Sequence, residues 1–296
     1  MAISAEFTYH APASLDEALE LLALTDRRAV PLAGGTDVIT ALRDGLRSPG
    51  RLVDLKRIPG LSDLELTDGE LHVGCLVTFT DLVASPVVAE QLPLLGEMAG
   101  MVASVGIRNR ATLVGNICSA VPSCDAGPVL LALDASVCLA GRDGLRTVAI
   151  GDWFQEPRST AIRPGELVTH VTVPVPANGH GSGFARLTRT RGEDLAQASV
   201  AVVLEPDRPP RVAFGAVAPT PVRARRIEAL LDERGVGSDA LDAAVALVAE
   251  EVAPISDVRA CATYRLAMCE VMLRRAVSAA ADRLVGAGPV HGTQLV

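Results

Sequence analysis

Two short segments hold the side chains and glycines best suited to gripping a ligand. The first is Pro31-Leu32-Ala33-Gly34-Gly35-Thr36-Asp37. It joins a short apolar stretch, Ala29 to Ala33, to a segment of helical character from about Thr36 to Arg43. Consecutive glycines at a strand-to-helix junction admit backbone conformations and close approaches that a Cβ forbids. The amides of Gly34, Gly35 and Thr36 would then point outward at a helix N-terminus. Unpaired N–H groups and the helix dipole favour a phosphate there, and Thr36 adds a hydroxyl donor. A tight turn with Thr36 as N-cap accounts for the same residues, because short glycine motifs do not discriminate between the two readings. A carboxylate beside a diphosphate repels it, so Asp37 is expected to turn away, toward a ribose hydroxyl or neighbouring backbone N–H groups.

The second segment, Ala111-Thr112-Leu113-Val114-Gly115-Asn116, continues through Cys118 to Asp125. Thr112, Gly115, Asn116, Ser119, Ser123 and Asp125 are small groups suited to holding a polar organic ligand by many modest hydrogen bonds. A loop that caps itself is the plainer alternative. A ligand with a diphosphate at one end and a ribose or ribityl chain at the other needs both kinds of surface, and FAD is such a molecule.

Other chemistries find little support. The cysteines at 75, 118, 124, 138, 261 and 269 form no CxxC pair, and their spacing suits neither zinc nor a ferredoxin-type cluster. Free thiols in a reducing cytoplasm are the expectation. His10, His72, His170, His180 and His291 lack metal-ligand spacing. No Ser/His/Asp arrangement is supported by spacing. Tyr264 and Glu270 are assigned to packing and surface, and Trp153-Phe154 to the core. A net charge of −8 argues against nucleic acid and anionic membranes, and the cluster Arg223, Arg225, Arg226 reads as a solvated helix face. No apolar run reaches the length of a membrane span, and the N-terminus lacks signal-peptide character.

The elements that must position these residues follow from periodicity. Ser14, with Glu17 three residues on, begins a helix carrying Leu15, Ala18, Leu19 and Leu22. Short strands follow from Leu52, with Asp68-Gly69 as a hairpin turn. Helices are expected near 79–84, 92–103 and 128–134, and strands at 136–139 and 146–150. Pro174, Pro176 and Asn178 to Gly183 mark the domain boundary. Three strands near 184–190, 198–204 and 211–217 precede helices near 222–233, 238–250 and 260–284. The fold class is α+β. The domains are 1–177, divided near residue 55, and 178–285, with 286–296 a flexible tail.

The order of AGGTD, IRNRATLVGNICSAVPSCD, LLALDA, FARLTRTRGEDLAQASVAV, GAVAPTPVRA and SDVRACATYR resembles the FAD-binding medium subunit of molybdenum hydroxylases, the xanthine dehydrogenase and carbon monoxide dehydrogenase family. The likeness spans residues 5 to 284. It implies a two-subdomain flavin domain of the vanillyl-alcohol oxidase/MurB type, followed by a three-stranded antiparallel sheet with a helical bundle. Leu32, Ala33, Gly34, Gly35, Thr36 and Asp37 match the family's diphosphate loop. Ala111, Thr112, Val114, Gly115 and Asn116 match its second FAD loop, with Val114 in place of the first glycine of the usual pair. Asp125 aligns with an acidic residue that hydrogen-bonds the cofactor. Arg186 aligns with a basic residue near the flavin, where it would stabilise the reduced, anionic form. Val102 stands where xanthine dehydrogenases carry an aromatic that contacts FAD. The AGGTD form is more similar to purine- and heterocycle-oxidising relatives than to carbon monoxide dehydrogenases, which usually read AGGHS.

The resemblance implies an electron relay. A large partner would carry a molybdenum–pterin cofactor, and a small partner two [2Fe-2S] clusters. FAD on this chain would pass electrons to NAD, O₂ or another acceptor, within a dimer of heterotrimers. Catalytic residues and metals are not assigned to this chain. A stand-alone FAD-dependent reductase or oxidase of the same domain type is the alternative, and a module that has lost FAD is a third.

Overall fold

The computed structural model describes residues 3, 6–24, 28–176, 179–190, 192–293 and 295. The chain opens with a small α/β unit: Thr8–His10 (β1), Leu15–Ala23 (α1), Ala29–Leu32 (β2), Thr36–Arg43 (α2) and Arg51–Asp54 (β3). β3 lies between β1 and β2 and runs parallel to both. As the sequence suggests, Ser14 caps α1, its hydroxyl accepting from the amide of Glu17.

A five-stranded antiparallel sheet follows. Leu64–Thr67 (β4) and Glu70–Gly74 (β5) are joined by Asp68-Gly69, both at positive φ, the conformation a two-residue hairpin requires. Next come Phe79–Ala84 (α3), Pro86–Gln91 (α4), Pro93–Met101 (α5), Val105–Arg108 (α6), Leu113–Ser119 (α7) and Ala126–Ala132 (α8). Ser136–Gly141 (β6) and Gly144–Ala149 (β7) pair as a hairpin. Ile150–Trp153 (α9) leads to the ribbon Phe154–Glu156 (β8) and Ser159–Thr160 (β9). Leu167–Pro174 (β10) then inserts between β5 and β6, giving the order β4-β5-β10-β6-β7. Sequence reading does not anticipate β10, although its run of Val and Thr was the available signal. Trp153 is buried, as expected, with its indole N–H donating to the Ile117 carbonyl (3.0 Å).

The C-terminal part contains Gly181–Leu187 (β11), Ala198–Glu205 (β12), Arg208–Gly215 (β13) and the two-residue Val222–Arg223 (β14), antiparallel in that order. Three long strands are as the resemblance implies, and β14 adds a short fourth. Arg225–Arg234 (α10), Ser238–Ala246 (α11), Val248–Glu251 (α12) and Ala262–Leu284 (α13) cover one face. The other face joins the flavin-domain core through Phe184, Ala201, Val203 and Ala213. Burial on both faces explains why β12, ASVAVVLE, has no exposed position.

Three expectations need correction. Gly181 to Gly183, read as boundary loop, form the buried start of β11; the anticipated break between 177 and 178 lies outside the described residues. Arg223 is not solvated: its Nε donates to Glu228 (2.5 Å) and its Nη1 to Asp134 (2.6 Å). Arg225 and Arg226 do remain exposed. The segment after α13, read as a flexible tail, is instead held down. Arg283 donates to the carbonyls of Pro289 (2.8 Å) and Val290 (3.2 Å), and His291 and the amide of Gly292 meet the buried carboxylate of Glu97. The contacts to Glu97 join residues far apart in sequence, so no local pattern announces them.

Candidate functional site

The paired glycines of the first loop do two different jobs. Gly35 is the N-cap of α2 at φ +83, the left-handed region that favours glycine. A Cβ on Gly34 would lie 1.7 Å from the carbonyl oxygen of Arg110, so this residue presses directly on the chain entering the second loop. The alternative with Thr36 as N-cap does not hold, since Thr36 is already helical and α2 has no side-chain cap. Among the described residues, no acceptor takes the amides of Thr36, Asp37 or Val38. Unpaired N–H groups at a helix start are what an anion requires. Lys56 stands beside the loop, its Nζ 3.4 Å from the Ala33 carbonyl and 2.6 Å from Asp54.

The second loop is built from the core outward. The Ala111 carbonyl accepts from the amide of Phe79 (3.0 Å) and the amide of Leu113 donates to the Val77 carbonyl (3.3 Å), fixing the segment that leads into α7. Thr112 caps α7, its hydroxyl accepting from the amide of Gly115 (3.0 Å). Asn116 is also committed, its Oδ1 accepting from the amide of Ala126 (3.2 Å). The self-capping loop proposed as the plainer alternative is thus present. It does not exclude a binding role, because the Asn116 amide N–H groups remain available. Val114 and Val102 are buried in the flavin-domain core.

The Asp37 carboxylate finds its partner outside α2. The hydroxyl of Ser119, 82 residues on and at the end of α7, donates to its carboxylate. With the contact of Gly34 on Arg110, this joins the two loops into one surface. Cys118, next to Ser119, is exposed.

Asp125 and Arg186 are brought together, but chiefly on each other. Arg186, on β11, donates Nε to Asp125 Oδ1 (2.8 Å) and Nη2 to Oδ2 (3.2 Å), and Nη2 also donates to the Asp194 carbonyl (2.7 Å). Both side chains are buried. Burial pushes the Asp125 carboxyl up, and the Arg186 guanidinium opposes that shift. The pair is an ion-paired bridge between the two domains. The amide of Ala216 reinforces it by donating to the Pro122 carbonyl (2.9 Å), and Gly127 packs under Pro221.

The chemistry of this surface suits FAD. Free amides beside a lysine accept a diphosphate, while hydroxyl and carboxamide groups face sugar-like hydroxyls. Lys56 and the Arg110 carbonyl were not identified from sequence, whereas Ser119 was named only as one of the small polar groups of the second segment. Lys56 and Arg110 carried no local signal. Among the described residues there is no group of three or more potential metal-ligating side chains.

Comparison with known proteins agrees with this geometry. Residues 5–176 match the family model of the FAD binding domain in molybdopterin dehydrogenase, and residues 184–280 that of the CO dehydrogenase flavoprotein C-terminal domain. The chain belongs to the FAD-binding medium-subunit family of the molybdenum hydroxylases, which are oxidoreductases. It is 37% identical over 285 residues to the carbon monoxide dehydrogenase medium chain of Afipia carboxidovorans, covering 95% of this chain and 99% of that one. It is 32% identical to the nicotine 6-hydroxylase medium subunit of Paenarthrobacter nicotinovorans, covering 93% and 97%. Among solved structures, reconstituted CO dehydrogenase from Oligotropha carboxidovorans superposes with a TM-score of 0.90 at 36% identity, covering 95% and 100%. Quinoline 2-oxidoreductase from Pseudomonas putida 86 gives 0.89 at 30% identity, covering 96% and 99%.

Proposed function

We propose that this chain is the flavin relay of a cytoplasmic three-subunit molybdenum hydroxylase. Gly34 to Asp37 would hold the diphosphate of FAD on the free amides of α2. Thr112 to Asn116 would hold its sugar portion, with Lys56 supplying a nearby positive charge. FAD would supply the junction between one-electron and two-electron transfer. The small partner with two [2Fe-2S] clusters is the proposed electron source, the large partner carries molybdenum–pterin, and the final acceptor is NAD, O₂ or another oxidant. Substrate oxidation falls to the large partner. We favour a purine or other N-heterocycle as substrate. The AGGTD form supports this, as do relatives named for nicotine and quinoline, although the carbon monoxide dehydrogenase chain is at least as similar.

The observation that carries the reading is the fused surface of the two loops: Gly34 against Arg110, Ser119 against Asp37, and the unpaired first turn of α2 between them. The experiment is an absorption spectrum of the tagged chain purified gently from its host, with co-purifying proteins identified. Flavin bands together with iron–sulfur absorbance and two partners support the relay. A yellow protein that turns over alone would instead make it a stand-alone flavoenzyme, and a colourless one would refute the assignment.

A further inference from the structure

Asp37 is the second residue of α2, and its carboxylate is poised near a helix N-terminus with no side-chain cap. A carboxylate in the first turn ordinarily bends back onto the free amides of its own helix, drawn by the unpaired N–H groups and the dipole. Here it is held away by Ser119. The position of Ser119 is itself well fixed. It ends α7, the next residue, Ala120, is buried at φ +46, and the Ala120 carbonyl accepts from the amide of Arg158 (2.7 Å). Among the described residues, nothing takes the first-turn amides of α2.

We propose that Ser119 is a positioning residue for cofactor binding: by engaging Asp37 it prevents this carboxylate from occupying the anion site of its own helix. This rests on the reading that the diphosphate of FAD binds at α2. The loop thus carries an internal competitor for its ligand, and a hydroxyl from the second loop restrains it. Losing the hydroxyl would free Asp37 both to take the amides and to repel the incoming diphosphate.

The test uses the full chain, stripped of flavin, with FAD affinity read from quenching of flavin fluorescence. Ser119→Ala should weaken FAD binding by about tenfold, the scale of a carboxylate competing at a helix N-terminus. Ser119→Thr, which keeps the hydroxyl, should bind normally. The deciding variant is Ser119→Ala/Asp37→Asn, which lacks the link but also lacks the competing charge. It should recover wild-type affinity to within about twofold. If Ser119 merely stapled α7 to α2, the double variant would stay as weak as Ser119→Ala, and that outcome overturns the proposal. Unchanged affinity in Ser119→Ala overturns it too. The underlying reading has its own control: Thr36→Glu places a permanent carboxylate at the helix start. Full FAD affinity in that variant would move the diphosphate elsewhere, whatever Ser119 does.

Discussion

At the scale of single residues, neighbours define what each side chain can do. A methyl group on Gly34 cannot coexist with the Arg110 carbonyl at 1.7 Å, and backbone on both sides leaves nothing flexible to yield. Gly34→Ala should therefore part the two loops and give a folded chain purified with little flavin, seen in its ratio of visible to ultraviolet absorbance. Arg186→Met leaves the carboxylate of Asp125 buried without its partner. Breaking such a pair costs about 3–5 kcal/mol, which chemical denaturation would register. Asp257 offers a pH test. Backbone amides of Arg259 and Ala260 and the guanidinium of Arg265 hold its carboxyl at about 2. A depressed carboxyl contributes stability above its unfolded value, and that contribution fades as pH falls toward 2. The difference in Tm between wild type and Asp257→Asn should accordingly be full at pH 5 and shrink between about pH 4 and pH 2.

At the scale of elements, the decisive fits are between helices and strands. Gly181 and Gly183 on β11 face α13, where added Cβ atoms would meet the carbonyls of Ala280 and Ala276 at 1.9 and 2.5 Å. Glycines two apart on a strand and alanines four apart on a helix present their small faces at nearly the same spacing, so the backbones meet closely. Gly183→Ala should force α13 outward and lower stability by about 1–3 kcal/mol, measured as a shift in denaturation midpoint. Local patterns made α1, α3, the 68–69 hairpin and β12 legible, because caps, turn residues and apolar periodicity act over a few residues. They did not reveal β10, whose place between β5 and β6 depends on partners distant in sequence.

At the scale of the whole molecule, two ion pairs among the described residues are buried at both ends and cross from the flavin domain to the C-terminal domain: Asp125 with Arg186, and Glu97 with Arg283. The second is a hub. Glu97 accepts from both terminal nitrogens of Arg283 and from the amide of Gly292, while Arg283 also donates to the carbonyls of Ser182, Pro289 and Val290. Three separate segments thus meet at one carboxylate, and β11 joins them through the Arg283 guanidinium. Glu97→Gln should destabilise the chain by about 3 kcal/mol and make residues 286–293 sensitive to protease. Replacing both partners with apolar residues of similar size should recover much of the loss in stability, since such exchanges are often neutral.

The sequence by itself determined the class of the protein. The glycine pair, the polar second loop and the order of motifs all depend on residues adjacent in the chain, and so they survive in a linear reading. Only the tertiary structure decided where Asp37 goes, that Gly34 rests on Arg110, that Asp125 and Arg186 satisfy each other, and that the C-terminal segment is pinned on Glu97. Each of these joins residues many positions apart. Their energies come from burial and pairing in a packed interior, which no local spacing encodes.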